Sequence, residues 1–196
     1  GDVITSAEVG GHVNAFDGAT GAEVVSFFAY PGYRGPVDVA AARFGPSADG
    51  PVIAAAAQGE VRAFSPRTGA PAAFGPPAGA AALAAYPGYT GPVFVAFGDV
   101  NGDGFTDLAT GAAENGHLKV FDGATGGQEF ASFLGGRGPI ADVALADADG
   151  TTTRGGPLFE LVVGEAASFS VYDPLTGARF DTRWFGRPDD SFVYVG

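Results

Sequence analysis

The chain has 196 residues, 46% of them hydrophobic, and its 33 Gly and 14 Pro indicate a folded domain rich in turns. Its formal net charge of −12, with only 10 Lys and Arg, argues against nucleic acid as a partner, because phosphate recognition depends on basic side chains. The absence of Cys excludes disulfides and thiolate metal sites, and no apolar run approaches the ~20 residues of a membrane helix, so no membrane insertion is expected.

Four segments along the chain share an aromatic residue followed by the same kind of turn, which indicates an internal repeat. They are FDGATGAE from Phe16, FSPRTGAP from Phe64, FDGATGGQ from Phe121 and YDPLTGAR from Tyr172. A second marker, the loop AYPGY, begins at Ala29 and again at Ala85. The repeat length of about fifty residues is typical of β-propeller blades, whereas a β-helix repeats at much shorter intervals.

In chain order, short apolar runs separated by Gly, Pro, Asp and Asn predict three strands in the first unit and four in each of the next three. The second unit contains PVDVAAA, PVIAAAA and EVRAFSP, and the third contains PVFVAFG, DLATGAA, HLKVFDG and QEFASFL. The fourth contains VALADA, ELVVGEA, SFSVYDP and RFDTRWF. In the first strand of each unit, the alternate positions that face the two sides of the sheet are both apolar, so we expect both faces to be covered.

These runs predict an all-β protein, a four-bladed β-propeller with four antiparallel strands in each blade and one domain over residues 1–196. GDVITSA at the start aligns with a second strand, and SFVYVG at the end aligns with a first strand. Residues 192–195 are therefore expected to pair beside residues 3–5 and to close the ring in one chain, as a monomer. The predicted blades are residues 1–35 with 190–196, 36–91, 92–138 and 139–189. The alternative is a larger ring closed by dimerisation.

Three carboxylates and a carboxamide occupy alternate positions of DVNGDGFTD, namely Asp99, Asn101, Asp103 and Asp107. Like charges at this spacing repel one another unless a cation lies between them. Positions 1, 3, 5 and 9, with Gly at position 6 and the backbone carbonyl of Phe105 at position 7, match a loop that wraps a hard cation. Calcium is the first candidate, and an Asx-rich turn is the alternative. An EF-hand is excluded, because Thr110 stands at position 12, where that loop needs Glu.

The sequence VAFGDVNGDGFTDLATGAA at residues 95–113, followed by HLKVFDGATG, resembles the FG-GAP and VCBS repeats of integrin α-chain heads and many bacterial surface proteins. The resemblance implies a calcium-loop propeller in which the first strand of a blade leads into the cation loop and the second begins at its last ligand. On that pattern the calcium ligands would be Asp99, Asn101, Asp103, the Phe105 carbonyl and Asp107.

The other units keep less of this loop. ADADGTTTRGGPLFEL in the fourth unit offers a second, less complete ligand set, Asp147, Asp149 and Glu160, with an insertion between them. In the second unit, RFGPSADGPVI has lost the pattern and places Pro51 at the last-ligand position. The first unit retains only Asp2, as the final member of its loop.

Three further groups of residues stand at matching repeat positions. Asp38 and Asp142 lie in the first strands of the second and fourth units, where they would face each other across the ring axis, solvated by channel water or around a cation or polar ligand. The two YPGY loops are expected to staple neighbouring blades, with an exposed binding surface as the alternative. His12 and His117 are equivalent by repeat and form no plausible triad or zinc set.

These features predict a non-catalytic, calcium-binding module that binds or adheres to a protein or carbohydrate ligand. An extracellular or cell-surface location is expected, because weak calcium loops fill at millimolar calcium. One alternative is a polysaccharide lyase or hydrolase, or its substrate-binding part, which would need a general base and positive charge near an acidic sugar. A second alternative is an architectural repeat of a larger surface protein.

Overall fold

The computed structural model describes residues 1–43, 50–74, 81–125, 128–134, 138–147, 152–153, 156–157, 159–166 and 168–184. Within these ranges the chain forms strands and no helix, which confirms the all-β prediction. Accordingly, the described residues include no helix of the length and apolarity needed to cross a membrane.

The strands form four consecutive antiparallel sheets, each following the order of the chain. The first sheet has three described strands, β1 (Val3–Ser6), β2 (His12–Phe16) and β3 (Glu23–Phe28). The second sheet has four, β4 (Asp38–Ala42), β5 (Val52–Ala57), β6 (Glu60–Phe64) and β7 (Ala82–Leu83).

The third sheet is the most regular, and its four strands coincide with the four predicted runs: β8 (Val93–Gly98), β9 (Asp107–Ala112), β10 (His117–Asp122) and β11 (Gln128–Leu134). In the fourth unit a small hairpin, β13 (Thr152–Thr153) and β14 (Gly156–Pro157), follows the first strand, within the predicted insertion. The fourth sheet consists of β12 (Asp142–Ala146), β15 (Glu160–Gly164), β16 (Ser168–Tyr172) and β17 (Arg179–Trp184).

The four sheets pack side by side in the order of the chain. β1 contacts β4, β4 contacts β8, and β8 contacts β12. This succession of one three-stranded and three four-stranded antiparallel sheets among the described residues is that of a four-bladed β-propeller, as predicted. The predicted closing strand, residues 192–195, and the rest of the C-terminal part of the first blade lie outside the described residues.

Apolar cores lie between neighbouring sheets. Because successive side chains of a β-strand point to opposite faces, one strand contributes to the core on each side of its sheet. In β5, Ile53 and Ala55 pack in the core that contains Val13 of the first sheet. Their neighbour Ala54 faces the opposite way and packs in the core that contains Leu108 of the third sheet. Each inner sheet is thus covered on both faces, which is why its strands read as continuous apolar runs.

The first strands β4 and β8 contribute to cores on both of their faces, as expected from the sequence, but burial is more complete in the second strands of the last three sheets. Every residue of β5, β9 and β15 is buried, whereas β4 and β12 are mostly half-buried. Close packing of the second strands needs small residues: a Cβ at Gly111 would stand 2.5 Å from Ile140 Cδ1.

The first Tyr of each YPGY loop is buried, and this confirms the stapling interpretation for those two residues. Tyr30 lies between the first two sheets, with its hydroxyl 2.9 Å from the Ala55 carbonyl oxygen. Tyr86 lies between the second and third sheets and donates a hydrogen bond of 2.7 Å to the His117 carbonyl oxygen. The second Tyr of each loop is half-buried instead.

Candidate functional site

The predicted cation loop connects the first two strands of the third sheet. β8 ends at Gly98, and β9 begins at Asp107, which pairs with Gly98 in the antiparallel register. The structure therefore places all five predicted ligands on one tight connection, with the last of them fixed at the start of a buried strand: Asp99, Asn101, Asp103, Phe105 and Asp107.

The loop is closed by hydrogen bonds from its own backbone to its carboxylates. Asp99 Oδ1 accepts a hydrogen bond of 2.7 Å from the Gly102 N–H, and Asp99 Oδ2 accepts one of 2.8 Å from Gly104. Asp103 Oδ1 accepts one of 2.8 Å from the Phe105 N–H. Gly102 and Gly104 have φ values of 77° and 84°, a region that L-residues with a Cβ rarely adopt. The two glycines let the backbone turn its N–H groups inward.

Asp107 is the buried member of the set, with no exposed surface. Its Oδ2 accepts a hydrogen bond of 2.9 Å from the Val100 N–H, and its Oδ1 accepts one of 2.9 Å from the Gly123 N–H. Burial raises the pKa of this carboxyl to about 6; the two N–H donors oppose the rise, and the charges of Asp103 and Asp99 add to it. Asp107 thus joins the loop to the turn that follows β10.

A further hydrogen bond ties the loop to the neighbouring sheet. Thr106 Oγ1 donates to the carbonyl oxygen of Arg43, which follows the last residue of β4, at 2.8 Å. The loop therefore contacts the second sheet as well as its own, and its conformation affects the packing of two blades. This contact could not be predicted from the sequence, because it depends on how two sheets are placed side by side.

The donor chemistry of the loop fits calcium, which prefers carboxylate, amide and carbonyl oxygens. A carboxylate offers about four acceptor positions, so each Asp keeps lone pairs beyond the N–H bonds that it accepts. Among the described residues, however, no three His, Cys, Asp or Glu side chains are arranged as a preformed metal cluster. The geometry is that of a loop held by its own backbone N–H groups, with an oxygen-rich lining.

Residues 91–128 match the model of the FG-GAP repeat, a match that spans β8, β9, β10 and the loop between β8 and β9. The third sheet carries an FG-GAP repeat. The recognition made from residues 95–113 is thereby confirmed. No curated protein matches the chain.

The register shows which residue of each other blade replaces Asp107 of the FG-GAP repeat. Glu160 pairs with Ala146 as Asp107 pairs with Gly98, so it holds the predicted position, and it is buried. Asp147 is exposed, and Asp149 lies outside the described residues, so the second ligand set is only partly described.

The two N-terminal blades differ from each other at this position. In the second sheet, Val52 pairs with Ala42 and takes the position one residue after the expected Pro51; it has no oxygen ligand to offer. In the first sheet, Asp2 Oδ1 accepts a hydrogen bond of 3.2 Å from the Gly18 N–H, as Asp107 accepts one from Gly123 in the FG-GAP repeat. Asp2 therefore keeps the structural contact that its repeat position predicts.

The aspartates predicted to face the axis lie on either side of the FG-GAP sheet. Asp38 of β4 accepts a hydrogen bond of 2.7 Å at Oδ2 from the Val95 N–H of β8. Asp142 of β12 lies close enough to act on Asp38 electrostatically. Burial raises the pKa of the Asp38 carboxyl from 3.8 to about 7; the Val95 N–H opposes the rise, and the Asp142 charge adds to it.

We expect this carboxyl to make stability depend on pH. An unfolded Asp releases its proton near pH 3.8, whereas folded Asp38 holds it to about pH 7, so the unfolding free energy falls as pH rises through this window. Between pH 5 and pH 8 the loss is on the order of 3 kcal/mol. Asp38→Asn should remove it, because the amide oxygen still accepts the Val95 N–H without a charge. Urea unfolding at pH 5 and pH 8 measures the difference; equal pH dependence in wild type and variant would contradict it.

Two His–Ser pairs were missed by sequence reasoning. His12 Nε2 lies 2.8 Å from Ser26 Oγ, and His117 Nε2 lies 2.8 Å from Ser132 Oγ. Both pairs join the strand that carries the repeated aromatic to the next strand, and the Ser follows the His by 14 and 15 residues. This nearly constant separation of His and Ser along the chain could have revealed the pairs. In each pair the His is half-buried and the Ser is exposed, and the hydrogen bond ties two neighbouring strands together.

Proposed function

We propose that the chain is a calcium-stabilised, extracellular propeller that acts as a non-catalytic binding or adhesion module for a protein or carbohydrate ligand. The observation that carries the proposal is the FG-GAP repeat at residues 91–128, whose loop presents oxygen donors from Asp99, Asn101, Asp103 and Asp107 together with the Phe105 carbonyl. Calcium would offset two of the three carboxylate charges. Millimolar extracellular calcium would keep such a loop filled, which supports the location.

The five donors would hold the ion between two strands of one blade. Asp107 is already fixed by Val100 and Gly123, so it would act as the rigid side of the site. Asp103 is exposed, and its hydrogen bonds come from within the loop, so it would contribute charge at little structural cost. Bound calcium would thus stiffen a loop that also contacts the second sheet through Thr106.

The test is the melting temperature in calcium, in magnesium and in excess chelator. At a hundredfold excess of calcium over its Kd, binding to the folded state alone adds about 2.7 kcal/mol, or about 5–10 °C for a domain of this size. Magnesium should give a smaller rise, because it needs a tighter octahedral site.

Asp103→Ala should abolish the calcium response. The matched control is Asp122→Ala, which removes a carboxylate from a nearby turn where Asp122 Oδ1 accepts the Ala124 N–H at 2.7 Å. The control should lower the melting temperature slightly and keep the full response to calcium. Identical melting temperatures of the wild type in calcium and chelator would overturn the metal part of the proposal.

A further inference from the structure

A shallow, open cleft lies at the end of the sheets opposite the FG-GAP loop. The FG-GAP loop leaves the first strand of its blade, whereas this cleft is formed where the chain enters first strands, between residues 31–35 and the neighbouring blade's Gln58 and Thr90. Its volume is about 570 Å³, within the roughly 300–1,000 Å³ range of small-molecule sites. Two consecutive blades therefore share one concave surface.

Two of the residues that line the cleft are equivalent by repeat. Arg34 occupies the sixth position of AYPGYRGPV, and Thr90 occupies the sixth position of AYPGYTGPV. The two loops thus bring the same position from successive blades to one cleft, once as a cation and once as a hydroxyl. The two loops have the same sequence except at this position, so Arg34 is what distinguishes the first loop from the second.

Arg34 is the one ionised side chain among the residues that line the cleft, in a chain with a net charge of −12. The ion pairs of the described residues are Arg62 with Glu60 and Lys119 with Glu129, so the exposed Arg34 guanidinium has no carboxylate partner within those residues. A guanidinium presents a planar fork of donors that matches a carboxylate. The same fork also matches a phosphate, so this side chain suits an oxyanion, of which a carboxylate is one.

The turn at Gln58 adds a second observation. Ala57 pairs with Glu60, so Gln58 and Gly59 form a two-residue hairpin turn, with φ values of 54° and 74°. Gln58 is the one residue other than Gly with positive φ in the described part of the chain. Asn, Asp or Gly is the usual choice at this position of such a turn. Gln58 therefore goes against the residue preference of this turn, and its side chain lines the cleft.

Tyr33 supplies a fixed aromatic wall. Its ring packs edge-on against buried Tyr30, with centroids 6.2 Å apart and planes at 61°. The Tyr33 hydroxyl is a hydrogen-bond donor at neutral pH, as for any Tyr, and burial, followed by the nearby charge of Glu114, raises its pKa further. The remaining lining is amide, hydroxyl and small residues, with no large aliphatic side chain. A flat ring among hydrogen-bonding groups suits a sugar better than an apolar peptide side chain.

We propose that this cleft binds a carboxylated sugar, a hexuronate unit, with its carboxylate on the Arg34 guanidinium, its ring against Tyr33 and its hydroxyls on the Gln58 amide and the Thr90 hydroxyl. The proposal rests on the binding role proposed above and names its ligand class. It does not depend on calcium, because none of these residues belongs to the FG-GAP loop.

The experiment compares binding of a uronate trisaccharide with that of its carboxyl-reduced, neutral counterpart, by calorimetry at saturating calcium. The wild type should bind the uronate about two- to fivefold more tightly than the neutral sugar, since a charged pair formed by an exposed Arg contributes about that factor. Arg34→Thr, which copies the Thr90 repeat position, should lose this preference. Arg67→Thr is the matched control, because Arg67 is an exposed Arg in the turn between β6 and β7, outside the cleft.

Gln58→Asn provides a readout that separates binding from stability. It should raise the melting temperature, because Asn suits the positive φ, and weaken uronate binding, because the shorter amide withdraws from the cleft. Equal affinity for both sugars, no binding of either, or wild-type affinity in Arg34→Thr would each overturn the proposal. Failure of the calcium test with retained uronate binding would instead overturn only the metal part of the proposed function.

Discussion

Asp107→Ala is expected to lower the unfolding free energy by about 3 kcal/mol even in excess chelator, and so to be far more damaging than Asp103→Ala under the same conditions. Asp107 is fully buried, and its two oxygens accept the N–H groups of Val100 and Gly123. Each buried N–H left without an acceptor costs about 1–3 kcal/mol, while removal of a poorly solvated carboxylate returns part of that loss.

The matched variant is Asp103→Ala, in the same loop and with the same loss of charge. Asp103 is exposed, and the donors that it accepts, the Phe105 N–H and the Asn101 amide, belong to the loop and can turn to water. Its cost in chelator should stay below about 1 kcal/mol, as for most exposed positions. Both variants should lose the calcium response.

Urea unfolding in chelator measures the two losses without any contribution from metal. A loss in Asp107→Ala as small as that in Asp103→Ala would show that Asp107 contributes to folding only through an ion. The expected difference would instead show that the last position of the loop holds two turns together whether or not the loop is filled.

The internal period explains how much of the fold could be predicted from sequence. The four strands of the third unit match four predicted runs, because turn residues bound each run and the aromatic before the turn marks its third strand. The same period placed Glu160 at the position of Asp107, and the register of the fourth sheet agrees. Turn residues and aromatics that recur about every fifty residues thus predict the strands and their register.

Contacts between sheets could not be predicted in the same way. The hydrogen bond from Thr106 to the Arg43 carbonyl and the cleft shared by Arg34 and Thr90 depend on the angle and offset between blades. The greater burial of β5 than of β4 has the same origin, since the residues of β5 pack into the cores on both of its faces. A periodic sequence specifies the blade; the relation between blades follows from packing.

The two ends of the sheets therefore differ in their proposed roles. At one end, the FG-GAP loop collects carboxylates around backbone N–H groups and ties two sheets together through Thr106. At the other end, the YPGY loops place one Tyr in the core and leave the second half-buried beside Arg34 or Thr90. On these proposals, a substitution in the FG-GAP loop would change stability and a substitution in the cleft would change ligand binding, each without the other effect.

Tyr86→Ala is expected to lower the unfolding free energy by about 4 kcal/mol, and Tyr86→Phe by about 1–2 kcal/mol. The ring is only 6% exposed and lies in the core between the second and third sheets. Its hydroxyl donates to the His117 carbonyl oxygen at 2.7 Å and stands 3.0 Å from Thr110 Oγ1. Lys119 Nζ lies 5.5 Å from the ring centroid, which adds a cation–π contact.

The phenylalanine variant isolates the hydroxyl, because it keeps the ring and its packing. Thr110 is fully buried, so loss of the Tyr86 hydroxyl leaves its Oγ1 and the His117 carbonyl oxygen with fewer partners. The matched control is Tyr89→Phe in the same loop, where the hydroxyl accepts the Glu114 N–H at 3.2 Å from a half-buried position, so its cost should stay below about 1 kcal/mol. Urea unfolding at fixed calcium measures all three variants. If Tyr86→Phe were as stable as the wild type, the first Tyr of the loop would staple the blades by ring packing alone.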